Sequence, residues 1–534
     1  MTMLAPDARR EVWVSMQDVP CGPNCKYTRP VPTSAHAVPW FGSPDGATED
    51  LARPSVPLRA VLLGPQTRIN TASVIAGRLG AGKTYALRQL WVEARKENSR
   101  STHLADQPPS LSILADIAAT SRTSFQTELW ADVWDRSFLL SLASHWDPDG
   151  STLADEFRHL DLSPSHRPLS PYNALERLGR ARSSHSAVPR VVGHPAWDDM
   201  RHKLASISLR MPPFTMLIDS IDNSYSFHPA LMMNCQKGLF YAALNWKKNR
   251  DLAKRARMVV ALRDLVVSAV VQSEQSARLL GAPDVAILDW SPRDLMSMVM
   301  LRIADQATDA CDFTEAEFLI EFARVLGLGS VDDSADLWSR ILNFSSGVPR
   351  DVITMLNALA RQLDGNDVGL PSLSRALERG AKLVGRSKIG LASTEILVQL
   401  TDASGWDRVG RHTWGETDRS DTQIAVEGVG DQLIQLIRFS VDPQYGEIDP
   451  GRLSDASDRY FGSDITHILW RHGVIGTVSR SRKNIHFRSA SEWDTLTAPS
   501  HAGETFGVHP SIGLLAQLGT ASTVGYSVDF GQEW

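Results

Sequence analysis

The sequence predicts a multidomain α/β protein: a core with a mainly parallel sheet, then a helical lid, then a winged-helix-like α+β region. Three observations carry that prediction. Short apolar runs that do not alternate, "TASVIA", "LSILADI", "FTMLID", "RMVVAL" and "VAILDW", are separated by longer helical patterns, as expected of strands covered on both faces. After Trp290 the pattern turns helical, opening on "SPRDLMSMVMLRIADQ" with its Ser-Pro start. Near the end, "VGDQLIQLIRFS", "DPGRLSDASDRY" and "GSDITHILWRHGVIG" give three short helices, and "VIGTVSRSRKNIHFRS" then reads as a hairpin with apolar ends and a basic tip. At 534 residues the chain exceeds one ordinary core and has room for about three or four domains.

Taken in order, residues 1–53 form an irregular arm rich in Pro and Gly. Its "CGPNC" segment, with Cys21 and Cys25, lacks the C-x-x-C spacing of redox motifs, so it reads as a turn with two incidental thiols in preference to half a metal site. Residues 54–289 form the α/β core. Within it, about 147–213 contain eight prolines and the polar runs "SPSHRPLSPY" and "RARSSHSAVPR", which predict an insertion or long loop. Residues 290–380 form the lid, including "SSGVPRDVITMLNALARQL", and 381–534 the C-terminal region.

Composition excludes some functions. Four cysteines are too few for a disulfide framework. The most apolar window, "MVVALRDLVVSAVV", is broken by Arg263 and Asp264, so no run approaches the ~18 residues a membrane helix needs. The first residues, "MTMLAPDARREVWV", place charges where a signal peptide needs an apolar stretch. A cytoplasmic protein without a membrane partner is expected. A net charge of −6 argues against a protein that coats nucleic acid, while leaving room for a local basic patch.

The stretch with the most specific chemistry is "GRLGAGKT", Gly77 to Thr84, which fits G-x-x-x-x-G-K-[ST] between a strand and a helix. Gly80 and Gly82 let backbone N–H groups converge on phosphate oxygens, and the helix N-terminus adds partial positive charge. Gly77, Gly80, Gly82, Lys83, Thr84 and Tyr85 form the predicted nucleotide-binding set. Lys83 is placed for the β- and γ-phosphates, and Thr84 for Mg²⁺. In "FTMLIDSIDN" the strand delivers Asp219 to its carboxyl end as the second metal partner, and Asp222 follows either as the candidate for orienting or deprotonating the attacking water or as a residue of a surface turn. Arg263, ending "RMVVALR", has two readings: a γ-phosphate sensor, or a structural ion pair with Asp264 or Asp219. Arg350 in "GVPR" likewise reads as a nucleotide sensor across the lid cleft or as an exposed helix-start arginine.

The ordered set "GRLGAGKT", "LIDSID", "VVALRD", "LDWSPRDLMSMVMLRI" and "GVPRD" resembles the AAA+ and STAND branches of P-loop NTPases, in particular the KAP-like and origin-recognition-like bacterial ATPases. The likeness covers roughly Leu58 to Gly380, and the end more loosely. It implies Walker A at Gly77 to Thr84, Walker B at "LIDSID", a sensor 1 arginine at Arg263 and a sensor 2 arginine at Arg350. It also implies ATP, magnesium, and self-association or partner binding. Asn223 stands where STAND proteins often continue with an acidic residue, which implies slow hydrolysis. The membrane helices common in KAP proteins have no counterpart in 147–213, and no arginine finger is assigned.

Between Ile465 and Ser491 there are five basic residues, Arg471, Arg480, Arg482, Lys483 and Arg488, and no Asp or Glu. Arg480, Arg482 and Lys483 at the hairpin tip are candidates for DNA phosphates, with Thr466 and His467 near base edges. A solvated hairpin and a protein-binding surface are equally open readings. The leading expectation is an ATP-binding, slowly hydrolysing switch, with signalling or antiviral defence as the setting that the resemblance implies. A DNA-binding initiator or regulator that uses ATP as a conformational lock is the second, and a nucleotide-bound scaffold without turnover the third.

Overall fold

The protein is described by a computed structural model covering residues 72–97, 102–105, 111–119, 126–180, 191–219, 229–271, 284–303, 313–345, 347–364, 369–402, 419–442, 446–479, 484–488, 505–518 and 527–529. The arm, with Cys21 and Cys25, lies outside these residues, as do Asp222, Asn223 and the hairpin tip 480–483.

Five parallel strands make the core sheet: β1 (Val74–Gly77), β2 (Thr102–Ala105), β3 (Phe214–Ile218), β4 (Ala256–Arg263) and β5 (Val285–Leu288), in the order β2-β3-β4-β1-β5. Helix α1 (Lys83–Glu97) leaves the phosphate loop directly. One predicted strand is corrected: "LSILADI" lies in a helix, α2 (Leu111–Ala119), and the strand is the preceding "THLA". The buried residues of α2 are Ile113, Leu114 and Ile117, a helical spacing that a short apolar run does not distinguish from a buried strand.

In the proline-rich segment the long-loop alternative is corrected, because its described residues are largely helical. Helix α3 (Gln126–Trp146) leads into α4 (Ala154–His159), α5 (Pro171–Arg180) and α6 (Ala196–Ser208). Pro171 opens α5 and Pro195 caps α6, positions where a missing N–H and a fixed φ cost nothing. Phe157, Leu160, Tyr172, Leu175, Trp197, Met200 and Leu204 join α3 and α7 (Pro229–Lys248) in one buried cluster against the sheet. The short α8 (Arg250–Ala253) precedes β4, and α9 (Asp264–Val271) follows it without a break.

The lid comprises α10 (Pro292–Ile303), α11 (Glu315–Leu326), α12 (Val331–Phe344) and α13 (Pro349–Asp364). The predicted boundary at Gly380 falls inside a 33-residue helix, α14 (Leu370–Asp402). Gly380 does not end the helix because its missing side chain serves packing: a Cβ there would stand 2.9 Å from Cα of Met355 on α13. Leu373, Leu377, Ala381 and Val384 of α14 lie in the lid cluster, while Ile389, Ala392 and Ile396 lie in the C-terminal one.

The C-terminal region holds α15 (Arg419–Ser440), α16 (Pro450–Phe461), α17 (Thr466–Arg471) and α18 (Pro510–Leu515). Strands β6 (Glu447–Ile448), β7 (Ile475–Ser479), β8 (Asn484–His486), β9 (Phe506–Val508) and β10 (Ser527–Asp529) form a second sheet, β10-β8-β7-β9-β6. The predicted hairpin is the antiparallel pair β7-β8; β9, α18 and β10 add to the three helices and hairpin read from the sequence. No described helix is long and apolar enough to cross a membrane.

Candidate nucleotide site

The loop after β1 has the backbone that its glycines permit. Gly80 has φ +88° and Gly82 φ +93°, values that disfavour any side chain. Lys83, first residue of α1, is buried and donates from Nζ to the carbonyls of Gly77 and Arg78, each at 3.0 Å. These bonds hold its ammonium across the loop, beside the α1 N-terminus with its unsatisfied N–H groups. Thr84 follows on the same first turn. Tyr85 comes next on that turn, with its ring buried in the core cluster and its hydroxyl accepting from Gln89 Nε2 at 2.8 Å.

Asp219 emerges from β3 and is 2% exposed, and its backbone carbonyl accepts from the Tyr172 hydroxyl. Because β4 stands between β1 and β3, it brings Arg263 into register with Gly77 at the start of the loop. Arg263 is 5% exposed. Of the two structural pairings considered for it, Asp264 is engaged by another residue: Arg488, from the C-terminal region, donates from Nη1 to Asp264 Oδ2 at 2.7 Å and from Nη2 to Ser268 Oγ at 2.9 Å. Burial works to raise the Asp264 pKa, but Arg488, Arg78 and Lys83 together hold it below the usual carboxylate value.

The lid touches the loop at two backbone atoms. The Arg350 N–H donates to the Gly80 carbonyl at 3.3 Å, and the Trp290 indole donates to the Ala81 carbonyl at 2.9 Å. A Cβ on Gly80 would stand 2.7 Å from Cβ of Arg350. Arg350 therefore stands against the phosphate loop, and the exposed helix-start reading is corrected. Trp290 went unassigned in the sequence, although it sits in the "LDWSPRD" run that opens the lid.

Beside the loop, a cavity opens where core, lid and C-terminal region meet, with Arg78, Arg263, Arg350 and Lys388 on its walls. Lys388, on α14, is 8% exposed, and burial brings its pKa down to about 8. His509 is buried behind it. Its Nδ1 accepts from the Ser511 N–H at 3.3 Å, which leaves Nε2–H to donate to the Ser345 carbonyl at 3.1 Å. Burial and then the Lys388 charge push the His509 pKa well below its ordinary value, in keeping with that neutral tautomer.

Two members of the predicted basic patch are turned inward. Arg471 pairs with Glu395 at 2.5 Å, and Arg488 is the buried partner of Asp264. Burial would raise the Glu395 pKa, yet His472 and Arg471 bring it down to about 2. His467 is half-buried, with its pKa lowered first by burial and then by Arg471. Arg480, Arg482 and Lys483 lie outside the described residues.

No family model matches the chain, and no curated protein matches it. A solved structure, that of the Aeropyrum pernix ORC2 protein in ADPNP–ADP complexes, aligns over 88% of this chain and 93% of its own at 11% identity. Its TM-score is 0.33, too low to weigh on the fold or the site.

Proposed function

We propose that the chain is a nucleotide-dependent switch of AAA+/STAND type that binds ATP with Mg²⁺ at Gly77 to Thr84 and hydrolyses it slowly. The observation that carries this reading is the lid docked on the phosphate loop: Arg350 N–H on the Gly80 carbonyl, with its side chain rooted against the same glycine. The sheet order supports it, since β4 stands between the loop strand and the one ending in Asp219 and brings Arg263 level with the start of the loop. The two positive-φ glycines, the tethered Lys83 and the helix N-terminus fit a phosphate chain. Thr84 and Asp219 are the residues for the magnesium, and Asp222 is the candidate for orienting water.

In this reading ATP supplies a terminal phosphate whose charge Lys83, Arg263 and Arg350 are placed to recognise. Arg350 links that recognition to the lid, and the C-terminal region follows through α14, which the two share. The C-terminal helices and hairpin support a winged-helix reading, with a second copy of the chain, DNA or a protein as partner, in signalling or antiviral defence. Steady-state hydrolysis and equilibrium binding of ATP by the wild type, Lys83→Ala and Asp222→Asn test the core of this proposal. The expected result is binding lost in Lys83→Ala, and binding kept with hydrolysis lost in Asp222→Asn. Wild-type binding no tighter than that of Lys83→Ala would overturn it. DNA affinity across a salt series, with Arg480, Arg482 and Lys483 neutralised together, tests the initiator alternative; a slope unchanged by neutralisation removes the hairpin tip as the contact.

A further inference from the structure

The cavity beside the loop is chemically one-sided. Five of its lining side chains are Arg or Lys and two are Asp. One of those carboxylates, Asp264, already carries Arg488. The other, Asp351, favours the Lys388 charge through space. Arg471, at the far wall, is engaged by Glu395. The cations on its walls come from three parts of the fold: Arg78 on the loop, Arg263 and Arg350 beside it, and Lys388 on the helix shared by lid and C-terminal region.

Lys388 makes the point most sharply. More than nine-tenths of it is buried, and among the described residues its ammonium makes no hydrogen bond and no ion pair. Such a group is costly to keep, because an ammonium taken from water recovers its hydration only through acceptors. Its surroundings offer more cations: Arg78 opposes its charge, and it in turn disfavours charge on His509. Gly473 of the C-terminal region lies close by: a Cβ there would stand 3.2 Å from Nζ, so a side chain would crowd the ammonium. A buried, unpartnered donor in a cation-lined cavity is the complement of an oxyanion carrying more than one charge.

We infer that this cavity binds a phosphoryl group, with Lys388 as its buried ligand and Arg78, Arg263 and Arg350 as the surrounding charges. Two sources share that chemistry: the terminal phosphate of a nucleotide on the loop, which rests on the switch reading above, and a separate phosphate or pyrophosphate, which does not. Gly80, Gly82, Lys83 and Thr84 do not line the cavity, so it adjoins the nucleotide cradle without being the cradle itself.

The test is titration calorimetry of the full chain with ATPγS, ADP and inorganic pyrophosphate, comparing the wild type, Lys388→Met, Lys388→Arg and Lys83→Ala. Either of two results supports the inference. If ATPγS binding weakens tenfold or more in Lys388→Met with ADP unchanged and Lys388→Arg near the wild type, the terminal phosphate is the ligand. If pyrophosphate binding weakens as much in Lys388→Met while Lys83→Ala keeps it, the anion is separate. Lys388→Met binding all three probes as tightly as the wild type overturns it, whether or not the nucleotide reading holds. A wild type that binds neither nucleotide overturns the switch reading and the first source, and pyrophosphate then decides the second. Thermal melting of the ligand-free variants guards against misfolding, since replacing an unpartnered ammonium by the apolar Met is expected to leave the melting temperature equal or higher.

Discussion

Lys388→Met should stabilise the ligand-free protein, the reverse of what most buried substitutions do. Burial brings the Lys388 pKa from its ordinary 10.5 to about 8. A lowered folded-state pKa on a base means that the fold disfavours the charged form. The penalty is full below pH 8 and fades as the pH rises from 8 towards 10.5, where the unfolded chain also loses the proton. Two and a half pKa units correspond to about 3 kcal/mol. The groups facing the ammonium fix that sign: Arg78 from the loop, Arg350 and Asp351 from α13, Arg471 and His472 at the end of α17, and His509 before α18. Of these only Asp351 favours the charge appreciably, because Glu395 is already taken by Arg471 and His472. Urea denaturation of both proteins in phosphate-free buffer at pH 7 and pH 10 measures it. The variant is expected to be more stable at pH 7 by up to about 3 kcal/mol, with the gap narrowing at pH 10. A less stable variant at pH 7 would refute the reasoning, because it would mean that the ammonium has a protein partner.

Other perturbations follow from the same junction. Arg488→Met strands a buried Asp264 carboxylate and is expected to cost about 3–5 kcal/mol by chemical denaturation, and adding Asp264→Asn should recover a large part. Glu395→Gln removes a carboxylate held at about 2 against an ordinary 4.5. Its contribution, about 3 kcal/mol, is fully present above pH 4.5 and lost as the pH falls towards 2, so the variant should be less stable at neutral pH and lack that acid-limb loss. Gly80→Ala places a Cβ 2.7 Å from that of Arg350 at a φ of +88°; loss of nucleotide affinity of tenfold or more, read by calorimetry, is expected.

What was legible in the sequence divides by the range of the interactions involved. The loop Gly77 to Thr84 was legible because its pattern lies in consecutive residues, and β3, β4 and β5 because buried parallel strands are uninterrupted apolar runs. "LSILADI" was misread because a run of that length satisfies both periods, and only its packing makes it helical. The proline-rich segment was misread because prolines were counted without regard to position; Pro171 and Pro195 begin helices. The boundary at Gly380 failed because a glycine in a close helix crossing looks like a stop. Lys388 and Arg488 were illegible at this junction: the residues around Lys388 come from distant elements, and Arg488 seemed to belong to a solvent-facing hairpin until the fold set it beside Asp264.

Helix α14 decides how a signal from the loop would travel. Its first half is part of the lid core and its second half part of the C-terminal core, with no linker between them. A continuous helix curves gently unless something kinks it, so a lid that moves with the nucleotide would draw the C-terminal region with it through α14. One contact opposing that motion is the buried Arg488–Asp264 pair, which ties the C-terminal region to the end of β4 beside Arg263, in addition to the hydrogen bonds and apolar packing that hold the lid on the core. Deleting one partner of a buried pair costs about 3–5 kcal/mol, and separation into water costs less because both charges regain hydration, so the pair's share of what a nucleotide driving the change must supply is at most about two to three and a half decades of affinity. Weakening the pair should lower that requirement. Small-angle scattering of Asp264→Asn/Arg488→Met is therefore expected to differ between ADP and ATPγS more than that of the wild type does. Profiles that coincide for both nucleotides in the double variant would show that the lid and C-terminal region do not move as a body, and would confine the nucleotide's effect to the loop.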